Sequence, residues 1–146
     1  AGRDSIIQIL QGLAKAIVKY QDPSSGTWYQ VTDQGVREGN YLESSATALF
    51  IYTLAKAINK GYIGNEYIEP TQKAFDGMVK TFTRLEEDGS YTITNCCAVA
   101  GLGGDSKRYR DGSFEYYISE PIIENDPKSV GSFILAAIEY EKMTKK

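Results

Sequence analysis

The segment from about Ser44 to Lys60 constrains this chain more than any other, because it reads as a helix that is apolar on almost every side. Ala46, Ala48, Leu49, Phe50, Ile51, Leu54, Ala55, Ala57 and Ile58 surround most of its axis. A helix of that kind must be covered nearly all round. Ser44 or Ser45 is placed to cap it, and Gly61 to close it in the left-handed conformation. The other helices are its cover. One runs from about Asp4 to Tyr20, with Ile6, Leu10, Leu13, Ile17 and Tyr20 on one face. A third, from about Glu66 to Arg84, sets Tyr67, Thr71, Ala74, Phe75, Met78, Val79 and Phe82 against a charged outer face. The fourth runs from about Lys128 to Met143 after an Asp126-Pro127 start signal. Its expected core face is Val130, Phe133, Ile134, Ala137 and Ile138.

Four antiparallel helices in 146 residues leave two long connections, Gln21 to Glu43 and Leu85 to Asn125, and one short one. Alternation puts both long loops at one end, where the second and fourth helices begin. Loops that long in a compact domain are usually functional. Within the third loop, Asp88-Gly89-Ser90-Tyr91 and Asp111-Gly112-Ser113-Phe114 repeat one pattern. Each is expected to turn into a short strand. Val99 to Gly104 is glycine-rich but lacks the Lys-Ser/Thr ending of a phosphate loop.

Chemistry is narrowed by what is missing. The chain has no histidine, which removes Ser-His and Cys-His catalysis. Cys96 and Cys97 are adjacent and make no disulfide framework; a zinc site would have to rest on them and carboxylates, so none is assigned. The net charge of -3 argues against a nucleic-acid surface, and the short basic cluster Lys107-Arg108-Tyr109-Arg110 suits a solvated or ligand-facing loop. No stretch approaches the roughly 20 apolar residues of a membrane span. The start at Ala1-Gly2-Arg3, without an initiator Met, suggests a truncated or processed product and leaves the compartment open, cytoplasmic or periplasmic in a bacterium.

The long-loop face carries the candidate residues. Trp28, Tyr29, Tyr41, Tyr91, Tyr109, Phe114, Tyr116 and Tyr117 supply rings that stack on sugars or pack under loops. Glu43 meets the positive end of the second helix, as a hydrogen-bond acceptor or a cap. Arg110 offers a bidentate clamp for a carboxylate, or an internal ion pair. Asp111, Glu115 and Glu120 offer pairs of carboxylates of the glycosidase kind, though any acidic loop does so.

Several co-ordered segments carry a resemblance. They are Gly26-Thr27-Trp28-Tyr29-Gln30-Val31, Asn40-Tyr41-Leu42-Glu43-Ser44-Ser45-Ala46, Cys97-Ala98-Val99-Ala100-Gly101-Leu102-Gly103-Gly104, Tyr109-Arg110-Asp111-Gly112-Ser113-Phe114-Glu115-Tyr116-Tyr117 and Asn125-Asp126-Pro127-Lys128. In this order they resemble the C-terminal part of glycoside hydrolase family 105, the unsaturated rhamnogalacturonyl hydrolases, and more loosely the family 88 glucuronyl hydrolases. The resemblance implies an all-α fold, a partial (α/α)6 toroid of helical hairpins with short β-hairpins in the long loops, residues 1–146 forming one domain. It implies hydration of the C4=C5 double bond of an unsaturated uronyl residue on a pectin-derived oligosaccharide, with no metal or organic cofactor. In that chemistry an aspartic acid protonates the vinyl ether, water adds at C5, and the resulting hemiketal opens to release the aglycone. The catalytic aspartates and an Arg-Gly-x-Gly-Trp segment come from the family's N-terminal half, and no such segment occurs here. No catalytic residue is therefore assigned, and this chain alone is expected to be inactive. Tyr41, Glu43, Tyr109 and Arg110 are the expected substrate-binding wall. Four helices cannot close a toroid, so an N-terminal half or further copies are expected to cover the exposed helices. Two other readings stand beside this one: a non-catalytic carbohydrate-binding or structural module, and another α/α toroid of terpene-cyclase type. The latter rests on Gln21 and Gly26-Thr27-Trp28, a repeat motif seen once.

Overall fold

The structure, a computed structural model, describes residues 2–104 and 109–145. Four long helices dominate it: α1 (Gly2–Lys19), α2 (Ser44–Asn59), α3 (Ile68–Phe82) and α5 (Pro127–Thr144). A short α4 (Phe114–Ser119) and two small antiparallel ladders lie in the third loop. One ladder pairs β1 (Thr83–Leu85) with β2 (Tyr91–Ile93), and the other pairs β3 (Cys96–Cys97) with β4 (Ile122–Ile123). This is the mostly helical, partial α/α toroid that the residues lead one to expect. Among the described residues no helix is long and apolar enough to cross a membrane.

The covered helix α2 is central. Ala48, Ile51, Leu54 and Ala55 are fully buried in it. Its cap is neither Ser44 nor Ser45 but Glu43, whose carboxylate accepts from the Ala46 amide at 2.6 Å. Ser44 is instead buried against α5, its hydroxyl 3.4 Å from that of Ser129. Gly61, at φ +67°, follows the last turn as expected.

Helix α5 begins where expected, with Asp126 capping the Lys128 amide and Pro127 in the first turn. Of its expected face Phe133 does pack against the core, but the fully buried positions are others. Ser129, Ser132, Ala136 and Met143 turn inward, while Ile134 and Ile138 are exposed. The reason is steric. Small side chains let α5 lie close along α2, and the branched aliphatics do not fit such a crossing. Farther along, Tyr140 stacks on Phe75 of α3 with ring centres 3.9 Å apart. Helix α1 is likewise only partly covered: Ala14 and Ile17 are buried, whereas Ile6, Ile9 and Leu13 are exposed.

The third helix is shorter than expected. Residues Asn65–Tyr67 form a 3-10 turn, and Arg84 belongs to β1 because Thr83 to Leu85 pair with Ile93 to Tyr91. The two Asp-Gly-Ser repeats make one turn with two different exits. In both, the Asp Oδ1 accepts from the Ser amide at 2.9 Å, and Gly89 and Gly112 take φ of +84° and +77°. After the first, β2 finds β1 as its partner. After the second no partner strand lies alongside among the described residues, and Ser113 caps α4 through the Tyr116 amide, so the expected strand is a helix.

Helix α3 docks on the first loop through Gly77. A Cβ there would lie 1.9 Å from the backbone oxygen of Ser25. Gly77→Ala should destabilise the chain by about 1–3 kcal/mol, since backbone rather than a flexible side chain has to move. A urea midpoint unchanged from wild type would show that α3 can slide at no cost.

Candidate functional site

The two long loops do meet at one end, at the N-termini of α2 and α5. The first loop starts as a ribbon folded back on itself. Gln30 N donates to Tyr41 O at 2.8 Å and Glu43 N to Trp28 O at 2.9 Å. Asn40 closes the ribbon, its Oδ1 accepting from Val31 N and its Nδ2 donating to Val31 O and Gln34 O. Trp28 anchors it from below. Its ring is fully buried, edge-on to Phe50, and its Nε1 donates to Ile17 O at 2.8 Å.

The third loop is tied to this ribbon through β3. Cys97 N donates to Glu43 Oε1 at 3.0 Å, and Gln30 Nε2 lies 3.2 Å from Cys97 Sγ. Asn95, in the left-handed region at φ +57°, receives the Ser44 amide and donates to Leu42 O. Lys128 Nζ holds Ala98 O at 3.0 Å, fixing the loop to the start of α5.

Of the four expected wall residues, Tyr41 and Glu43 gather at this junction. Glu43 is 2% exposed, and its oxygens take the Ala46 amide, the Cys97 amide and the Ser45 hydroxyl. It acts on the site from behind. Burial, then the neighbouring Cys97 thiol and the Glu43 charge, hold the Tyr41 hydroxyl far above its ordinary pKa, so it stays a neutral phenol. Burial first and the Glu43 and Asp126 carboxylates next push the Cys96 thiol up to about 11. It is therefore no nucleophile at neutral pH.

Tyr109 and Arg110 sit on the other flank, beside α4. Arg110 pairs through its backbone with Gly103, and its Nε lies 3.5 Å from Oε1 of the buried Glu120. The internal ion pair is thus the arrangement present, with the Arg110 side chain about one-third exposed as a whole. Tyr109 is 69% exposed. Lys107 and Arg108 of the same basic cluster lie outside the described residues. Arg37 of the first loop lies over the Phe114 ring at 3.7 Å and pairs with Glu115, joining the two flanks.

The remaining acidic candidates are engaged. The Ser113 hydroxyl and amide hold Asp111 below its usual range, and Glu115 holds Arg37. Among the described residues no group of three or more Cys, Asp or Glu is placed to hold a metal ion. The residues that sequence reasoning missed are Gln30, Asn95 and Cys97. Their role is backbone joinery, and only Asn95 carried a signal, since asparagine tolerates a positive φ.

Comparison with known proteins gives this face a context. The family profile of Glycosyl Hydrolase Family 88 matches residues 1–144. A family 105 glycoside hydrolase structure from C. acetobutylicum ATCC 824 superposes with a TM-score of 0.91 at 45% identity, covering 95% of this chain and 38% of that one. A structure of a possible family 105 member from Klebsiella pneumoniae gives 0.77 at 27% identity, covering 98% of this chain and 32% of that one. Protein Atu3128 of Agrobacterium fabrum is 37% identical over 119 residues, which are 79% of this chain and 51% of that protein. The chain therefore spans about half the length of the curated relatives it matches.

Proposed function

The chain belongs to glycosyl hydrolase family 88, and from that premise we propose that it forms one wall of the cleft of an unsaturated-uronyl hydrolase acting on pectin-derived oligosaccharides. The observation that carries this reading is the 0.91 superposition, at 45% identity, on a family 105 glycoside hydrolase. Tyr109 offers an exposed ring to a sugar face, and Arg110, steadied by Glu120, offers its outward N–H groups to the uronate carboxylate. Tyr41 and Glu43 hold the floor behind them. The aliphatic stripes Ile6, Ile9, Leu13 on α1 and Ile134, Leu135, Ile138 on α5 are the edges on which further hairpins of the toroid pack.

The reaction needs a carboxyl group protonated near neutral pH, to give its proton to the vinyl ether while water adds at C5. Four acidic side chains of this face serve elsewhere. Glu43 is buried under three donors, Glu120 is buried beside Arg110, Asp111 is held ionised by Ser113, and Glu115 pairs with Arg37. The acid is accordingly assigned to another part of the assembled enzyme. Purified chain should bind unsaturated galacturonyl-rhamnose without consuming its conjugated absorbance, even at protein concentrations equal to substrate. Arg110→Ala should weaken that binding at least fivefold. Steady turnover by this chain would place the acid here after all, and binding indifferent to Arg110 would remove the wall assignment.

A further inference from the structure

The first loop reaches across to α4 at two points. Its segment from Gln34 to Asn40 is a tight turn, with Arg37 N donating to Gln34 O at 3.0 Å and Asn40 N to Arg37 O at 3.1 Å. Asn40 Nδ2 also donates to Gln34 O at 2.8 Å, so the turn presents Arg37 and Gly39 from a fixed backbone. Arg37 lies over Phe114, its guanidinium carbon 3.7 Å from the ring centre. Nη2 pairs with Glu115, and Nη1 donates back to Gln34 Oε1 at 2.8 Å. Gly39, at φ +84°, fits against Ile118, where a Cβ would come within 2.8 Å of Cδ1. Phe114 and Ile118 are four residues apart, so one face of α4 rests on this turn.

Helix α4 in turn brackets Arg110. Its last turn ends at Glu120, whose buried carboxylate stands 3.5 Å from Arg110 Nε. Before its first turn, only Asp111 to Ser113 separate it from Arg110. The Tyr116 hydroxyl accepts from the Gly101 amide at 3.0 Å, and Gly103 and Arg110 exchange backbone hydrogen bonds at 2.9 Å. All of this moves with α4, and a helix of six residues does not hold its place unaided. We propose that Arg37 is a positioning residue for Arg110: it fixes α4 on the first loop and so keeps Glu120 where it orients the guanidinium. The inference deepens the uronide reading and rests on it for the ligand. The ion pair with Glu115 is the lesser part, since both side chains are exposed and such pairs contribute little. The flat guanidinium over a buried ring is the stronger contact, and its removal uncovers Phe114.

Amide hydrogen exchange of the purified chain reads this arrangement without a ligand. Arg37→Ala should speed exchange at Gly103 and Arg110 about fivefold or more, and leave Ala46 and Cys97 within about twofold. Titration with unsaturated galacturonyl-rhamnose should then show affinity about threefold weaker. With Arg110→Ala already in place, the same change should weaken binding by less than about 1.5-fold, because no guanidinium is left to position. Glu115→Ala should stay within about twofold of the unaltered chain. Arg37→Lys, which keeps a cation over the ring without the flat stacking, should fall between that variant and Arg37→Ala. The proposal fails if Gly103 and Arg110 keep their protection, or if Ala46 and Cys97 lose theirs as well. It also fails if Arg37→Ala weakens binding as much without Arg110 as with it, which would put Arg37 itself on the ligand. An Arg110→Ala chain that binds as well as wild type would sink the uronide reading, and exchange at Gly103 would still decide what Arg37 holds.

Discussion

Trp28→Ala is expected to cost about 3–5 kcal/mol, a large share of the roughly 5–15 kcal/mol that holds a domain of this size together. Trp28 is the single tryptophan of the chain and is fully buried. Three things depend on it. Its ring fills the space between α1 and α2 edge-on to Phe50, with centres 5.2 Å apart. Its Nε1 donates to Ile17 O near the end of α1. Its backbone receives Glu43 N and donates to Thr47 Oγ1, so the ring's position sets the ribbon's height above α2. Trp28→Phe separates these contributions. It keeps most of the apolar volume and removes the Nε1 bond, while Ile17 O retains the Tyr20 amide at 3.3 Å. Its loss should therefore be about 1–2 kcal/mol. Urea unfolding followed by far-ultraviolet circular dichroism measures both, since the variants lose the natural fluorophore. A loss below about 1 kcal/mol for the alanine variant would mean that the cavity collapses and that the ribbon is held by its backbone alone.

What could be seen in the sequence follows from how local each cause is. Helix α2 and the start of α5 were legible because an all-apolar run, and an Asp-Pro step, carry their instructions within a few residues. The convergence of the two long loops was legible from the alternation of helices alone. The buried face of α5 was not. The apolar period pointed to Ile134 and Ile138, but a close crossing with α2 selects the small side chains Ser129, Ser132 and Ala136. That choice depends on the distance between two helices far apart in sequence. The paired Asp-Gly-Ser turns make the same point. Identical local chemistry leads to a strand where β1 waits alongside and to a helix where nothing does. At the candidate site the residue types were visible and their partners were not. Arg110 could have faced a ligand or a carboxylate, and only the fold brings Glu120 beneath it.

Glu43 shows how a side chain that reads as a ligand group can be taken up by the protein's own donors. Glu43→Ala should remove about 1–2 kcal/mol of helix capping and strand the buried Cys97 amide at a further cost of about 1–3 kcal/mol. Because both effects run through one carboxylate they will not add fully, and the expected total is about 3–4 kcal/mol. Glu43→Gln is the sharper experiment. It keeps the volume and one acceptor but turns an amide NH2 toward a backbone N–H that needs an acceptor, and it removes the charge facing the positive end of α2. It should lose about 2 kcal/mol and speed hydrogen exchange at Ala46 and Cys97 together. The joint response is the discriminating feature. Faster exchange at Ala46 alone would make Glu43 a simple cap. Exchange at both would show that the helix start and the third loop hang on one group. The same variant should then weaken a uronide held by Arg110.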